Sequence, residues 1–342
     1  MPSTYSVPGL FKAFEDLKVL ILGDVMIDAY LFGKVERISP EAPVPIIAVN
    51  KRKNLLGGAA NVALNVKALG ATPLMCSVIG NDTQGGAFLK LLGESGLRQD
   101  GICRSDDRIT TTKVRIVGNK MQMLRIDEET ETDLNQRETK QYLDKIEEIL
   151  TSEKVDIIIF EDYNKGVLTR EVIAYVIALA NKHGIPTSVD PKKKNFDQYC
   201  EVTLFKPNLK ELREGLKLDV NPEDSAALTH ALDLLQQRQH VKIAMTTLSE
   251  HGVFIRAILQ DDTADCHHIP AHLRSITDVS GAGDTVISVA SLCLALKQDS
   301  KLIASLSNLA GGLVCEHIGV APIDRDLLMK ESMLLLKDQF NY

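Results

Sequence analysis

The chain has 342 residues and a formal net charge of −7, long enough to bury a substantial core in one large α/β domain or two modest ones. Its acidic balance, with Lys and Arg dispersed apart from Lys51-Arg52-Lys53 and Lys192-Lys193-Lys194, excludes a surface built for nucleic acid. Apolar runs such as 19–22 and 157–160 are too short to span a bilayer, residues 1–9 lack a signal-peptide pattern, and six scattered cysteines without a C-x-x-C pair read as reduced thiols, so a cytoplasmic protein with no membrane partner, disulfide or thiolate metal site is expected.

Residues 1–10 are expected to be loose. Short β-branched runs then alternate with helix-like segments: strands are predicted at 18–22, 73–79, 155–160, 186–189, 202–205 and 241–245, helices at 59–69, 170–182 and 223–239. Such alternation predicts the α/β class, with a mostly parallel sheet covered by helices. Two stretches break the rhythm. Residues 30–50, with three prolines, and 110–127, with a Gly118-Asn119 turn, read as strands lacking a following helix. They predict a small β-sheet inserted in a single domain spanning 1–342, a lid over a ligand held at the strand ends.

Candidate residues follow the same order. After the first strand comes Gly23-Asp24-Val25-Met26-Ile27-Asp28, where a carboxylate suits vicinal hydroxyls because it accepts two hydrogen bonds; Asp24 and Asp28 also read as turn or helix caps. Gly57 and Gly58 let backbone approach a ligand, or serve only helix entry, and Asn61 can both donate and accept. Lys113 and Arg115 alternate onto one strand face, as solvent-facing charges also do. Lys192 suits a phosphate, whereas Lys193 and Lys194 read as solvated surface. Asn208, after Pro207, reads as the cap of a helix that carries Glu211. The cluster Asp265-Cys266-His267-His268 with His272 lacks the spacing of a zinc site.

Near the C-terminus, Asp278-Val279-Ser280-Gly281-Ala282-Gly283-Asp284-Thr285 runs into an apolar stretch at 286–296. Small residues opening a helix leave backbone N–H groups unpaired at the positive end of its dipole, where an anion can sit. Asp284 there suits a base that takes a proton from a hydroxyl while the amides of Gly281, Ala282 and Gly283 hold a transferring phosphoryl group. The alternative is a tight glycine turn with an acidic cap.

Gly57-Gly58-Ala59-Ala60-Asn61 together with the 278–284 segment resembles the paired signatures of the ribokinase-like (PfkB) carbohydrate kinases, and Asn208-Leu209-Lys210-Glu211 matches that family's N-x-x-E element. Arg37-Ile38-Ser39-Pro40-Glu41-Ala42-Pro43-Val44-Pro45, Asp162-Tyr163-Asn164-Lys165-Gly166 and Asp190-Pro191-Lys192 look like the heptose-7-phosphate kinase branch. Glu161 stands where that branch is expected to have a small residue, and Leu248 where a basic one is more usual. No G-x-x-x-x-G-K-[ST] sequence occurs, and no H-x-G-H site of an adenylyltransferase, so the chain looks like a kinase-only version.

The resemblance implies a ribokinase-like three-layer αβα fold with a small β-sheet lid. It implies ATP-dependent phosphorylation of the anomeric hydroxyl of D-glycero-β-D-manno-heptose 7-phosphate, giving the 1,7-bisphosphate of ADP-heptose and lipopolysaccharide inner-core synthesis. Asp284 would be the base. Asp28, Asp24, Gly57, Gly58, Asn61 and Asp162 would meet the sugar, and Lys113, Arg115, Arg125 and Lys165 its phosphate. Lys192, Asn208, Glu211, Thr246, Thr247, Gly252, Gly281, Gly283 and Asn308 would line the nucleotide site, with Mg2+ held by Asn208 and Glu211 through water. A monovalent cation such as K+ and a homodimer through the lid sheets are also implied. Alternatives are another ribokinase-like kinase acting on a fructose phosphate or simple sugar, and a non-catalytic sugar-binding protein. A Rossmann dehydrogenase would need G-x-G-x-x-G where this chain has Gly23 to Asp28.

Overall fold

The computed structural model describes residues 5–339 except 120, 273 and 318, and of 338 the backbone alone. The chain opens with helix α1 (Val7–Phe14), which leads into β1 (Lys18–Gly23), β2 (Val25–Ile38), β3 (Pro45–Gly58), α2 (Ala59–Ala68), β4 (Thr72–Gly80), α3 (Thr83–Glu94) and β5 (Ile102–Ser105). A hairpin of β6 (Thr112–Gly118) and β7 (Met121–Glu128) follows, then α4 (Gln136–Ser152), β8 (Ile157–Glu161), α5 (Arg170–His183), β9 (Thr187–Asp190) and β10 (Leu204–Phe205). The last third holds α6 (Leu209–Leu216), α7 (Ser225–Gln239), β11 (Ile243–Thr247), β12 (Val253–Ile258), β13 (Ala264–Ile269), α8 (Ala282–Ala295), α9 (Ser300–Val314) and α10 (Arg325–Leu335).

Among the described residues the strands form two sheets. The large one runs β13-β12-β11-β10-β9-β8-β1-β4-β5, parallel from β11 to β5, with β12 and β13 added antiparallel at one edge. Its strands are apolar on both faces, as a parallel sheet covered twice must be. Val19 and Ile21 of β1 pack toward α1, α2, α3, α8, α9 and α10, while Leu20 and Leu22 pack toward α4, α5, α6 and α7. This is the expected mixed α/β architecture, helices on either side of a mostly parallel sheet.

The small sheet runs β3-β2-β6-β7. Its first two strands begin earlier and end later than the predicted 30–50, whereas β6 and β7 occupy nearly the predicted 110–127. One residue, Asp24, separates β1 from β2, so Asp28 lies four residues into the small sheet and not at the end of the first strand. The hairpin turns at Gly118-Asn119 as expected; Asn119 takes a left-handed φ of +51° and its amide side chain bonds both backbone groups of Val35. Residues 7–10, expected to be loose, are instead the first turn of α1: Val7, Leu10, Phe11 and Phe14 repeat at helical spacing and are fully buried. Ser6 caps this helix, its hydroxyl accepting from the Gly9 amide at 3.2 Å, and of the segment expected to be loose residues 1–4 lie outside the described residues. Asp265, Cys266, His267 and His268 fall on the edge strand β13, where alternation sends neighbours to opposite faces. No helix among the described residues is long and apolar enough to cross a membrane.

Candidate active site

Every strand of the parallel sheet ends at one rim, and in-register pairing lines up Gly23 of β1, Glu161 of β8 and Asp190 of β9. Parallel neighbours in register present their side chains on one face about 4.8 Å apart, so Glu161 and Asp190 are forced together. Lys206 follows β10, with its amide on Val189 O at 2.9 Å and its Nζ 2.7 Å from Asp190 Oδ2. Lys192 reaches Glu211 Oε1 at 2.5 Å and Asp190 Oδ1 at 4.0 Å, and its ammonium stands over the Tyr163 ring. Burial alone would lower the Lys192 pKa; Asp190 and Glu211 outweigh it and hold the ammonium above its usual value.

Helix α8 meets this rim with its N-terminus. Gly281 takes φ +82°, and a Cβ there would stand 2.9 Å from Asn61 Nδ2, so the turn demands glycine both for its backbone and for its closeness to α2. Among the described residues the amides of Gly281, Gly283 and Asp284 have no acceptor, whereas the Ala282 amide donates to Val279 O at 3.3 Å. The amides left free at this end of α8 are thus those of Gly281, Gly283 and Asp284, whereas Ala282, expected among the donors to an anion, spends its amide on Val279.

Asp284, in the first turn of α8, is 4% exposed. Asn61 Nδ2 donates to its Oδ2 at 2.6 Å and the Tyr163 hydroxyl to its Oδ1 at 2.8 Å. Burial pushes the carboxyl up to about 6, partly opposed by those two donors and reinforced by nearby Asp190. Asn65, one turn along α2, keeps the assembly in register: its Nδ2 donates to Asn61 O at 2.9 Å, and its Oδ1 accepts from Thr285 Oγ1 at 3.0 Å. Glu161 is fully buried, and burial beside Asp190 and Asp284 raises its pKa well above the usual carboxylate range.

Of the residues expected on the sugar side, Asp28, Lys113, Arg115 and Arg125 share one face of the small sheet. Arg115 ion-pairs with Asp28 and lies over the Tyr30 ring. A Cβ on Gly57 would stand 2.2 Å from Asp28 Oδ2, so only glycine lets this carboxylate lie against β3. Lys113 Nζ lies 2.7 Å from Glu129 and 3.2 Å from Asp127, Lys165 Nζ 2.8 Å from Glu129, and Arg125 Nε 2.9 Å from Asp127. The cations expected to grip a phosphate are thus brought together, each engaged by a carboxylate.

Asp24 and Asp162 have their oxygens filled by protein donors. Asp24 accepts from the amides of Tyr163 (2.8 Å), Lys165 (3.0 Å) and Val167 (3.1 Å). Asp162 accepts from the Tyr199 hydroxyl (2.7 Å), Asn195 Nδ2 (2.9 Å) and the Asn164 amide (2.8 Å). Together they pin the segment 162–167, and with it Tyr163 and Lys165.

On the nucleotide side, Asn208 and Glu211 form a reciprocal cap of α6, each side chain accepting from the other's amide at 2.9 Å. Glu211 is buried, and its Oε1 turns toward Lys192. Thr247 pairs with Asn208 in an isolated parallel bridge, and Thr246 is buried with its hydroxyl unpartnered. Gly252 closes the turn between β11 and β12, its carbonyl accepting from the Leu248 amide at 2.7 Å. Asn308, on α9, donates to Pro270 O at 2.9 Å. Sequence reasoning assigned no role to Tyr163, Asp190, Lys206 or Asn65. Tyr163 and Asp190 stood inside the D-Y-N-K-G and D-P-K segments, which were the available signal; Lys206 and Asn65 had none.

Residues 16–326 match the model of the pfkB family carbohydrate kinases. The chain is 38% identical over 304 residues to the bifunctional protein HldE of Helicobacter pylori strain J99, covering 89% of this chain and 64% of that protein. It is 37% identical over 314 residues to the HldE of Sulfurimonas denitrificans, covering 92% and 64%. The chain thus spans 64% of the length of these curated relatives. In fold it is similar to phosphofructokinase-2 from Escherichia coli, whose crystal structure was solved in complex with potassium: the TM-score is 0.75 at 18% identity, covering 94% of this chain and 99% of the other.

Proposed function

The chain belongs to the pfkB family of carbohydrate kinases, which makes it an ATP-dependent sugar kinase, and we propose that it phosphorylates the anomeric hydroxyl of D-glycero-β-D-manno-heptose 7-phosphate on the route to ADP-heptose. The observation that carries the chemistry is Asp284, a buried carboxylate with a pKa of about 6 beside unpaired amides at the N-terminus of α8. An anomeric hydroxyl is more acidic than an ordinary alcohol, so a carboxylate suffices to take its proton. The amides of Gly281 and Gly283 hold the transferring group's oxygens as charge shifts toward the nucleotide. Asn61 and Tyr163 aim the base, and Asp24 and Asp162 hold Tyr163 where it can do so.

Support for the acceptor comes from the HldE relatives and from Lys113, Arg115 and Lys165 on one side of the site. A phosphorylated sugar would exchange their present carboxylate partners for its own phosphate, while Asp28 and the backbone at Gly57 would meet hydroxyls. Glu211, with Asn208, offers hard oxygen donors of the kind Mg2+ takes while keeping most of its water. When bound with ATP, Mg2+ neutralises phosphate charge there. ADP release is expected with heptose 7-phosphate at a rate far above that with fructose 6-phosphate, fructose 1-phosphate or ribose. Faster turnover of a fructose phosphate than of the heptose phosphate overturns the acceptor. Repeating the assay with and without K+ tests the monovalent cation.

We further propose a homodimer through the small sheets. Met121, Met123, Leu124 and Ile126 of β7 are exposed, a run of apolar side chains that a second copy would cover. Sedimentation at varied concentration is expected to give twice the chain mass of 37.6 kDa; a monomer at every concentration removes the proposal.

A further inference from the structure

We propose that Glu161, Asp190 and Asp284 bind a divalent cation in the nucleotide-free chain, at a position separate from the Mg2+ expected at Asn208 and Glu211. The three come from the ends of β8 and β9 and the first turn of α8. One ligand oxygen from each lies within 4.8 Å of the others, and all three residues are buried. Oxygens that ligate one ion at about 2.0–2.4 Å stand up to about twice that distance apart, so the spacing admits a single Mg2+ or Mn2+ with modest tightening.

Acidic clusters alone are common, and Glu161 is what separates this one. Its side chain is fully enclosed, and among the described residues neither of its carboxylate oxygens has a hydrogen-bond partner. Burying a carboxyl group with nothing to bond is costly. The neighbouring cations are already committed: Lys206 Nζ lies on Asp190 Oδ2 at 2.7 Å, and Lys192 Nζ on Glu211 Oε1 at 2.5 Å. Protonating Glu161 fills only half the gap: its O–H can turn to Asp190 or Asp284, but its carbonyl oxygen is still left without a donor. A divalent ion satisfies it directly, and an all-carboxylate set with room for water selects the hard cations.

The position also bears on the anion hole. A Cβ at Gly283 would stand 3.4 Å from Asp190 Oδ2 and 3.8 Å from Lys206 Nζ, so Asp190 abuts the end of α8 that carries the free amides. An ion held there adds positive charge to the place where a transferring phosphoryl group would sit, and it shares the Asp284 carboxylate with the acceptor.

Mn2+ titrated into the nucleotide-free full-length chain, with free Mn2+ followed by electron paramagnetic resonance, is expected to show one bound equivalent. The isosteric Glu161→Gln variant is expected to weaken it by roughly tenfold or more, and Glu211→Gln to leave it unchanged. No retention of Mn2+, equal affinity in Glu161→Gln, or loss in Glu211→Gln alone overturns the proposal. Crystals of the wild-type chain soaked in Mn2+ without nucleotide give a readout independent of any variant's folding. Anomalous scattering is expected between the three carboxylates; a peak only beside Glu211, or water in place of the ion, overturns it. Neither measurement involves an acceptor sugar, so a wrong heptose assignment leaves this result standing and a missing ion leaves the kinase reading standing.

Discussion

Asp284→Asn is expected to lower kcat by about a thousandfold, the middle of the range for removing a general base, with little change in KM for either substrate. The amide keeps the shape of the carboxylate: its oxygen can still accept from Asn61 and its NH2 can donate to the Tyr163 oxygen, so the ground-state site is preserved and only the proton acceptor is lost. Stability is expected to move the other way. Burial raises the carboxyl from 3.8 to about 6 in the folded chain, so the folded state binds a proton more tightly than the unfolded one. Stability therefore falls as pH rises from about 4 through 6, and above that window the ionised buried acid is a standing cost. The Asn variant escapes that cost and is expected to melt no lower than wild type at pH 7 to 8. A rate within about tenfold of wild type would sink Asp284 as the base.

The same reasoning fixes the pH profile of the unmutated chain. With a base near pH 6, kcat/KM is expected to fall on the acid side of about 6, because the protonated acid cannot take the hydroxyl proton. Tyr163→Phe provides the control: the Tyr163 hydroxyl stabilises the ionised form, so its removal raises the pKa and moves the acid limb to higher pH.

Much of this was legible in the chain because the signals were local. The β-branched runs at 18–22 and 155–160 are strands because both faces of a parallel strand are buried, and Gly57-Gly58 and Gly281 mark backbone that no other residue could adopt so close to Asp28 and Asn61. What was lost is what depends on topology. Glu161, Asp190 and Lys206 are far apart in sequence and become neighbours only because β8, β9 and β10 pair in register at one rim. The helix at 7–14 was missed, its start having been counted with a loose segment 1–10, yet proline in the first turn costs no hydrogen bond and the Val7, Leu10, Phe11, Phe14 spacing carried the helix. The edge strand β13 escaped for a simpler reason: it is half polar and lacks the dense apolar run of a central strand, whereas β12, with Val253, Phe254 and Ile255 buried, carried such a run and was passed over.

Asp24 was read as a candidate for the sugar, yet its structure predicts a different and large effect. Asp24→Ala is expected to destabilise the chain by roughly 3–5 kcal/mol and to remove most of the activity with it. The carboxylate accepts three backbone N–H groups, from Tyr163, Lys165 and Val167, residues 139 to 143 positions away. Burial raises its pKa, and those amides and Arg108 oppose that rise. Truncation leaves three donors facing an apolar gap, each costing about 1–3 kcal/mol less whatever solvent the loosened segment admits. Released, the segment no longer fixes the Tyr163 hydroxyl on Asp284 or the Lys165 ammonium beside Glu129. A direct sugar contact predicts otherwise: a raised KM for the acceptor, with the chain melting normally. Chemical denaturation of Asp24→Ala beside Asp28→Ala separates the two, because among the described residues Asp28 pairs with the single side chain of Arg115 and holds no backbone. If Asp24→Ala unfolds at the wild-type denaturant midpoint and only the acceptor KM changes, the clamp is wrong and Asp24 belongs to the substrate.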